Sequence, residues 1–190
     1  MIEIKTIKVG LLQTNCYILS SENKDAVIID PGDEAGKIIS FLEENSLAPK
    51  AILLTHTHFD HIGAVEQIVE KYNIKVCASP FCFGDIPNIE IIPTNESKTI
   101  IEGNMEFQVL ATPGHKEDSV CYILNNYLFS GDTLFRLGVG RTDLEGGSSL
   151  ELKQSLKKIS SLPYEDLLIF PGHMEHTSLA FERQNNPYMS

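Results

Sequence analysis

Residues 55–61 read Thr55-His56-Thr57-His58-Phe59-Asp60-His61, which places four potential metal ligands, His56, His58, Asp60 and His61, within six positions. The apolar run Ala51-Ile52-Leu53-Leu54 precedes it. Ile62-Gly63-Ala64-Val65-Glu66-Gln67-Ile68-Val69 follows, with apolar residues at helical spacing. The ligands therefore fall on a strand-to-helix turn, where side chains from a short stretch can point at one place.

Outward from that turn the chain alternates apolar runs with turn residues. Strands are predicted at residues 2–9, 16–19 and 26–29, each closed by Gly, Ser or Asp30-Pro31-Gly32. A helix follows over 34–44, where Ile38, Ile39 and Leu42 share a face, and a second strand-helix unit spans 51–72. Residues 76–79 read as a strand. The stretch 81–99 holds two prolines and two asparagines without a clear period and reads as loop, with at most a short strand at 89–92. A second set of strands is expected at 107–111, 119–124, 127–130 and 167–170, with helices at 149–160 and 179–184. Two sequential groups of strands flanked by helices, with no repeat or linker, suggest one layered α/β sandwich domain over residues 1–190.

With 190 residues and 42% hydrophobic content the chain has core enough to fold without disulfides. No signal-peptide pattern opens it and no run of eighteen apolar residues occurs, so the expectation is a cytoplasmic protein with no membrane partner. Cys16, Cys77, Cys82 and Cys121 form no Cys-x-x-Cys pair and read as free, mostly buried thiols. A net charge of -11, with arginine only at 136, 141 and 183, argues against nucleic acid as a partner.

Five of the six histidines follow a strand or lie in a Gly-Pro turn: His56, His58, His61, His115 in Thr112-Pro113-Gly114-His115, and His173 in Pro171-Gly172-His173. Asp132, in Ser130-Gly131-Asp132-Thr133, also follows an apolar run. If the strands of one sheet end at a common edge, these residues converge. Imidazole and carboxylate with little thiolate suit zinc, iron(II) or manganese better than copper(I). The donors exceed one tetrahedral site, and two metals bridged by a carboxylate and a hydroxide would use them economically. A lone buried histidine is usually a satisfied core residue; five at motif spacing are not explained that way. His176, outside any motif, keeps the structural reading.

These motifs resemble the metallo-β-lactamase superfamily, and within it the small glyoxalase II-like hydrolases that lack a C-terminal helical domain. The resemblance extends over Thr14-Asn15-Cys16-Tyr17, Val27-Ile28-Ile29-Asp30-Pro31-Gly32, the metal motifs, Phe129-Ser130-Gly131-Asp132-Thr133-Leu134-Phe135 and Gly138-Val139-Gly140-Arg141-Thr142-Asp143. It implies a four-layer αββα sandwich of two mixed β-sheets with the metals at one edge. His56, His58 and His115 would hold the first metal, and Asp60, His61 and His173 the second. Asp132 would bridge them. Two divalent ions are implied, zinc first, with iron or manganese accepted by the same ligands. Asp60 and Asp132 would act in catalysis with a metal-activated hydroxide, and no protein nucleophile is needed.

The implied activity is hydrolysis of a small-molecule thioester such as S-lactoylglutathione or a related S-acyl thiol. The alternatives are hydrolysis of another ester, a lactone or a lactam, and a mononuclear iron persulfide dioxygenase that uses two His and one Asp. Asp30 fits either an acceptor that orients the histidine turn or an ordinary Asp-Pro-Gly turn. Arg141 stands where relatives carry a substrate-contacting lysine, and reads equally as a substrate contact or as an ion pair with Asp143. After His115 the usual Thr-Pro-Gly-Ser becomes Lys116-Glu117-Asp118-Ser119, and after His173 the usual Gly-Pro becomes Met174-Glu175. The chain also ends about where a glutathione-holding helical domain would start, so recognition of glutathione is not carried over.

Overall fold

The computed structural model describes residues 1–82, 84–92 and 98–189. The first sheet takes the order β1 (Glu3–Val9), β2 (Thr14–Ser20), β3 (Asp25–Ile29), β4 (Ala48–Leu53), β5 (Lys75–Ala78) and β6 (Ile89–Ile91). Its first two pairings are antiparallel, and β3–β4, β4–β5 and β5–β6 are parallel. Parallel neighbours need crossovers. α1 (Ala35–Glu44) supplies the one between β3 and β4, and α2 (Phe59–Ile62) with α3 (Val65–Tyr72) the one between β4 and β5.

The second sheet contains β7 (Lys98–Glu102), β8 (Met105–Ala111), β9 (Val120–Leu124), β10 (Tyr127–Gly131), β13 (Leu168–Pro171) and β14 (Thr177–Ser178). It is antiparallel except at β10–β13. A two-stranded ribbon, β11 (Leu134–Phe135) with β12 (Gly138–Val139), follows β10, and α4 (Ser149–Ser160) and α5 (Leu179–Asn185) complete the chain.

The inner strands β2, β3, β9 and β10 are buried along almost their whole length because both faces of their sheets are covered. Along β2 and β3 the period of two is nonetheless plain. Tyr17, Leu19, Val27 and Ile29 pack between the sheets against Phe107, Val109, Tyr122 and Phe129. Ile18, Ala26 and Ile28 face outward onto Ile38 and Leu42 of α1 and Ile68 of α3. On the far side Cys121, Ile123, Leu128 and Ile169 meet Leu152, Leu156 and Ile159 of α4 and Leu179 of α5. The layers are therefore helix, sheet, sheet, helix, which is the expected αββα sandwich. Tyr17 also packs edge-on to Phe129 and Phe170, at 5.3 and 5.5 Å between ring centroids, and so joins the two sheets.

Three local expectations are corrected. The loop reading of 81–99 ran too far, since β7 begins at Lys98; the part of it at 83 and 93–97 lies outside the described residues. β7 and β8 join through Gly103 and Asn104, both at positive φ, 55° and 60°, a two-residue hairpin turn whose Gly-Asn pair is itself a hairpin signal. The unit at 51–72 does not carry one unbroken helix. Gly63 and Ala64 interrupt it, because their N–H groups donate to Gly32 and Pro31 carbonyls at 3.1 and 2.9 Å. Finally, the metal-motif residues come from the edges of both sheets, not one.

α4 holds the expected span 149–160. Ser148 caps it, its hydroxyl accepting from the Glu151 N–H at 3.3 Å, and Lys157 and Lys158 lie in its last turn, where cations complement the helix dipole.

Candidate metal centre

Each sheet contributes half of the site. The turn after β4 carries His56 and His58 and the short helix α2 carries Asp60 and His61, whereas His115 follows β8, Asp132 follows β10 and His173 follows β13. Two groups of donor atoms result, His56–His58–His115 and Asp60–His61–His173, and within each group the atoms lie within 4.8 Å of one another. Asp132 stands between them. Its Oδ2 is 3.6 Å from His115 Nε2 and 3.4 Å from His173 Nε2, and its Oδ1 is 3.4 Å from His61 Nε2.

Hydrogen bonds behind the histidines decide which nitrogen faces the centre. Asp30 accepts the Thr55 N–H at 2.8 Å through Oδ1 and the Thr55 hydroxyl at 2.6 Å through Oδ2, and that same Oδ2 lies 2.9 Å from His61 Nδ1. Nδ1 of His61 thus carries a proton and donates it outward. The Thr55 hydroxyl has spent its proton on Asp30, so it accepts from His56 Nδ1 at 3.1 Å. His115 Nδ1 donates to the Arg141 carbonyl at 2.7 Å, and His173 Nδ1 to the Leu12 carbonyl at 3.2 Å. In each of these four rings the remaining nitrogen, Nε2, is turned inward, the pattern that orients metal-binding imidazoles.

These residues fit metal ions. His56 Nε2 and His115 Nε2 approach His58 Nδ1 to 3.1 and 2.8 Å, and one imidazole proton cannot satisfy three converging nitrogens. His61 Nε2 and Asp132 Oδ1 are buried polar atoms with no hydrogen-bond partner. Donors ~2.0–2.1 Å from a tetrahedral ion stand about 3.3 Å apart, and the donor pairs here span that value, from 2.8 Å for His115–His58 to 3.6 Å for Asp60–His61.

The two groups differ in charge. Burial, followed by the field of His61, holds His56 well below the usual imidazole range; burial with the nearby His115 and Lys116 charges brings His58 down to about 4. In the other group burial is outweighed. Asp132 and Asp30 raise His61 well above its ordinary value, and hydrogen bonds with Asp132 and Asp60 raise His173 to about 9. The carboxylates move reciprocally. Burial pushes Asp60 up, but His173, His61 and the Thr14 hydroxyl at 2.8 Å bring it to about 2. Asp132 lies well below the carboxylate range, because His61, His173 and His56 overcome its burial.

The turns that present these donors leave little room. A Cβ on Gly172 would stand 2.2 Å from Asp132 Oδ1 and 2.7 Å from His61 Cε1, and one on Gly32 would stand 1.6 Å from the Asp60 carbonyl oxygen. Glycine is required at both positions by close approach. Asn15 and Tyr17 hold the Pro171-Gly172-His173 turn from β2. The Asn15 amide donates to the Pro171 and Met174 carbonyls at 2.9 and 3.1 Å, its N–H donates to the Gly172 carbonyl at 2.7 Å, and the Tyr17 hydroxyl donates to Pro171 at 2.5 Å.

Sequence reasoning left Asp30 open between two roles, and the structure gives it the orienting one. It passed over Asp118 and Lys116. Buried Asp118 accepts the Thr57 N–H at 3.0 Å and the Thr57 hydroxyl, and Lys116 Nζ reaches the Thr57 hydroxyl at 2.6 Å and Asp118 Oδ2 at 3.1 Å. Thr57 lies between His56 and His58, so this network fastens the histidine turn to the His115 loop. The available signal was the departure from Thr-Pro-Gly after His115.

Arg141 contributes its carbonyl to His115, while its guanidinium lies 61% exposed in a two-pronged pair with Asp143 at 2.6 and 2.7 Å. His176 packs on Phe170 at 4.3 Å between ring centroids, with its Nε2 3.3 Å from the Thr6 hydroxyl. The four cysteines are free thiols, three of them buried, and burial pushes Cys77 up to about 12 and Cys121 up to about 11. Among the described residues no helix is long and apolar enough to cross a membrane.

The chain belongs to the metallo-β-lactamase superfamily, a superfamily of metallo-hydrolases whose family model matches residues 9–81 and 83–173. It is 37% identical over 207 aligned positions to the probable metallo-hydrolase YqgX of Bacillus subtilis, covering 98% of this chain and 97% of the relative. It is 31% identical to the hydroxyacylglutathione hydrolase GloC of Haemophilus influenzae, covering 98% of each. Among solved structures it resembles the B3 metallo-β-lactamase BLEG-1, with a TM-score of 0.90 at 36% identity over 99% of this chain and 100% of that one. ETHE1 from Myxococcus xanthus matches with a TM-score of 0.88 at 32% identity over 97% and 83% of the two chains. TTHA1623, solved in a di-iron-bound form, matches with a TM-score of 0.85 at 36% identity over 97% and 99%.

Proposed function

We propose that this protein is a dinuclear metal-dependent hydrolase of small S-acyl thiols, a thioesterase of the glyoxalase II type, acting in the cytoplasm. The observation that carries the reading is Asp132, set between a complete histidine triad and a complete Asp-His-His triad. His56, His58 and His115 would hold one ion and Asp60, His61 and His173 the other, with Asp132 shared. Zinc is the first choice for both. Iron is supported by the likeness to a di-iron protein, and manganese suits the same donors.

When bound, the ions supply positive charge that polarises a carbonyl and makes water acidic enough to act as nucleophile near neutral pH. The chain's own residues do the holding. Asp30 and Asp118 fix the histidine turn from two sides, and Thr14 fixes the Asp60 carboxylate. Asp60 and Asp132, kept ionised, are the groups on the chain able to take up or orient a proton from attacking water. A thiolate leaves without a protein acid, because thiol pKa values near ~8.5 make it a good leaving group. The GloC likeness supports a thioester over a lactone or lactam. Arg141, held by Asp143 through Nε and Nη2, would offer its Nη1 to a substrate anion.

A single-iron dioxygenase built on two His and one Asp would leave much of the Asp60–His61–His173 triad idle, so the complete triad favours hydrolysis. Metal-replete protein should release thiol from S-acyl thiols such as S-lactoylglutathione, lose that activity to a chelator and regain it with metal. One bound iron per chain, together with oxygen uptake on glutathione persulfide, would reverse the choice.

A further inference from the structure

A cleft of ≈ 620 Å³ opens beside the first triad, lined by His58, Lys116, Glu117, Leu144, Glu145 and Gly146. It is large enough for the thiol half of a small thioester whose carbonyl lies at the metal edge. Its charge is what distinguishes it. The cation on its wall, Lys116, is buried and engaged by Asp118 at 3.1 Å and the Thr57 hydroxyl at 2.6 Å. Arg141, in the adjoining loop, is paired with Asp143. Glu117 and Glu145 are both exposed, and among the described residues neither makes an ion pair. Outside the metal edge, the mouth therefore presents two exposed carboxylates that no lysine or arginine among the described residues pairs with, on a chain whose net charge is -11.

We infer that this cleft selects S-acyl derivatives of neutral or cationic thiols over those of carboxylate-bearing thiols, with Glu117 and Glu145 as the specificity-determining residues. The inference rests on the thioesterase reading and narrows its substrate class. A glutathione conjugate brings two carboxylates against one ammonium into a region with two uncompensated carboxylates, and like charges placed together discriminate against a ligand without any steric clash. Both glutamates are solvated, so the effect is modest and sensitive to salt, fading as the screening length falls below ~10 Å.

The test uses one acyl group on three thiols: S-acetylthiocholine, S-acetyl-N-acetylcysteamine and S-acetylglutathione, which are cationic, neutral and net anionic. With metal-replete protein at low ionic strength, kcat/KM should fall in that order, by on the order of tenfold from first to last, and the spread should shrink in high salt. Replacing both glutamates, Glu117→Gln with Glu145→Gln, should raise kcat/KM for the glutathione thioester and lower it for the thiocholine ester at unchanged metal content. Equal or better use of the glutathione thioester, or a spread that the double substitution leaves untouched, would overturn the inference while leaving the thioesterase reading intact. Failure of metal-replete protein on all three esters would remove that reading and this inference with it.

Discussion

The two triads are built from similar residues and solve opposite electrostatic problems. His56, His58 and His115 form an all-imidazole pocket in which burial and mutual repulsion keep His56 and His58 neutral, so their lone pairs are available before any ion arrives. Asp60, His61 and His173, with Asp132 beside them, form a salt-bridged cluster in which carboxylates hold protons on both imidazoles. A cation entering the first pocket fills a place that no proton occupies well. One entering the second has to displace the protons that now balance Asp60 and Asp132. A carboxylate set between two triads does not make them equivalent; what stands behind each histidine sets them apart.

Removing the shared residue should have the largest effect. Asp132→Ala strips both triads of their common carboxylate and leaves buried imidazoles facing one another. We expect both metals to be held poorly and hydrolysis to fall by on the order of a thousandfold or more, several kcal/mol of charge stabilisation. Metal content by elemental analysis and steady-state kinetics would check it. Near-normal activity with two tightly held metals would show that Asp132 is not shared between the two triads.

A smaller effect should separate the two sites. Asp30→Ala removes the acceptor behind His61, whereas Asp118→Ala removes the anchor of the Thr57 turn between His56 and His58. Each should weaken metal affinity by roughly 10–100-fold, the usual scale for groups that orient ligands, but with its main effect at a different site. Competition titrations with a chromophoric chelator should show the larger loss at the second site in the Asp30 variant, with a smaller loss at the first through Thr55 and His56, and a loss confined to the first site in the Asp118 variant. Asp118→Ala also leaves Lys116 buried without its carboxylate, so thermal stability needs to be measured alongside.

The smallest effect is proton release. His173, raised to about 9, is protonated at pH 7 in the metal-free protein, whereas His58, lowered to about 4, is not. Binding at the second triad should therefore expel protons at pH 7, and its affinity should rise as pH climbs toward 9. Binding at the first should release fewer protons, because His56 and His58 are already held unprotonated. Calorimetric titration in buffers of different ionisation enthalpy reads the proton count directly. Equal release at both sites would show that the two pockets do not differ as described.

Legibility from sequence followed the range over which each feature is encoded. The histidine turn was readable because four donors fall in one local stretch between a strand and a helix. His115, Asp132 and His173 were readable because each ends an apolar run at a Gly-containing turn. Asp118 was not, since its partnership with Thr57 spans 61 positions and only the fold brings the two loops together. β7 was lost for another reason: it lies at the edge of its sheet, with Ile101 69% exposed, so burial imposes little of the alternation that marks a strand. The break at Gly63 is likewise tertiary, set by the carbonyls of Gly32 and Pro31 and not by helix propensity.

A two-metal centre shared through Asp132 makes a definite prediction about metal stoichiometry. Protein stripped by chelator and titrated with Zn(II) under native conditions should take up two ions per chain in two resolved steps, with thioester hydrolysis appearing as both are filled. Uptake of one ion with full activity, or of none, would contradict it.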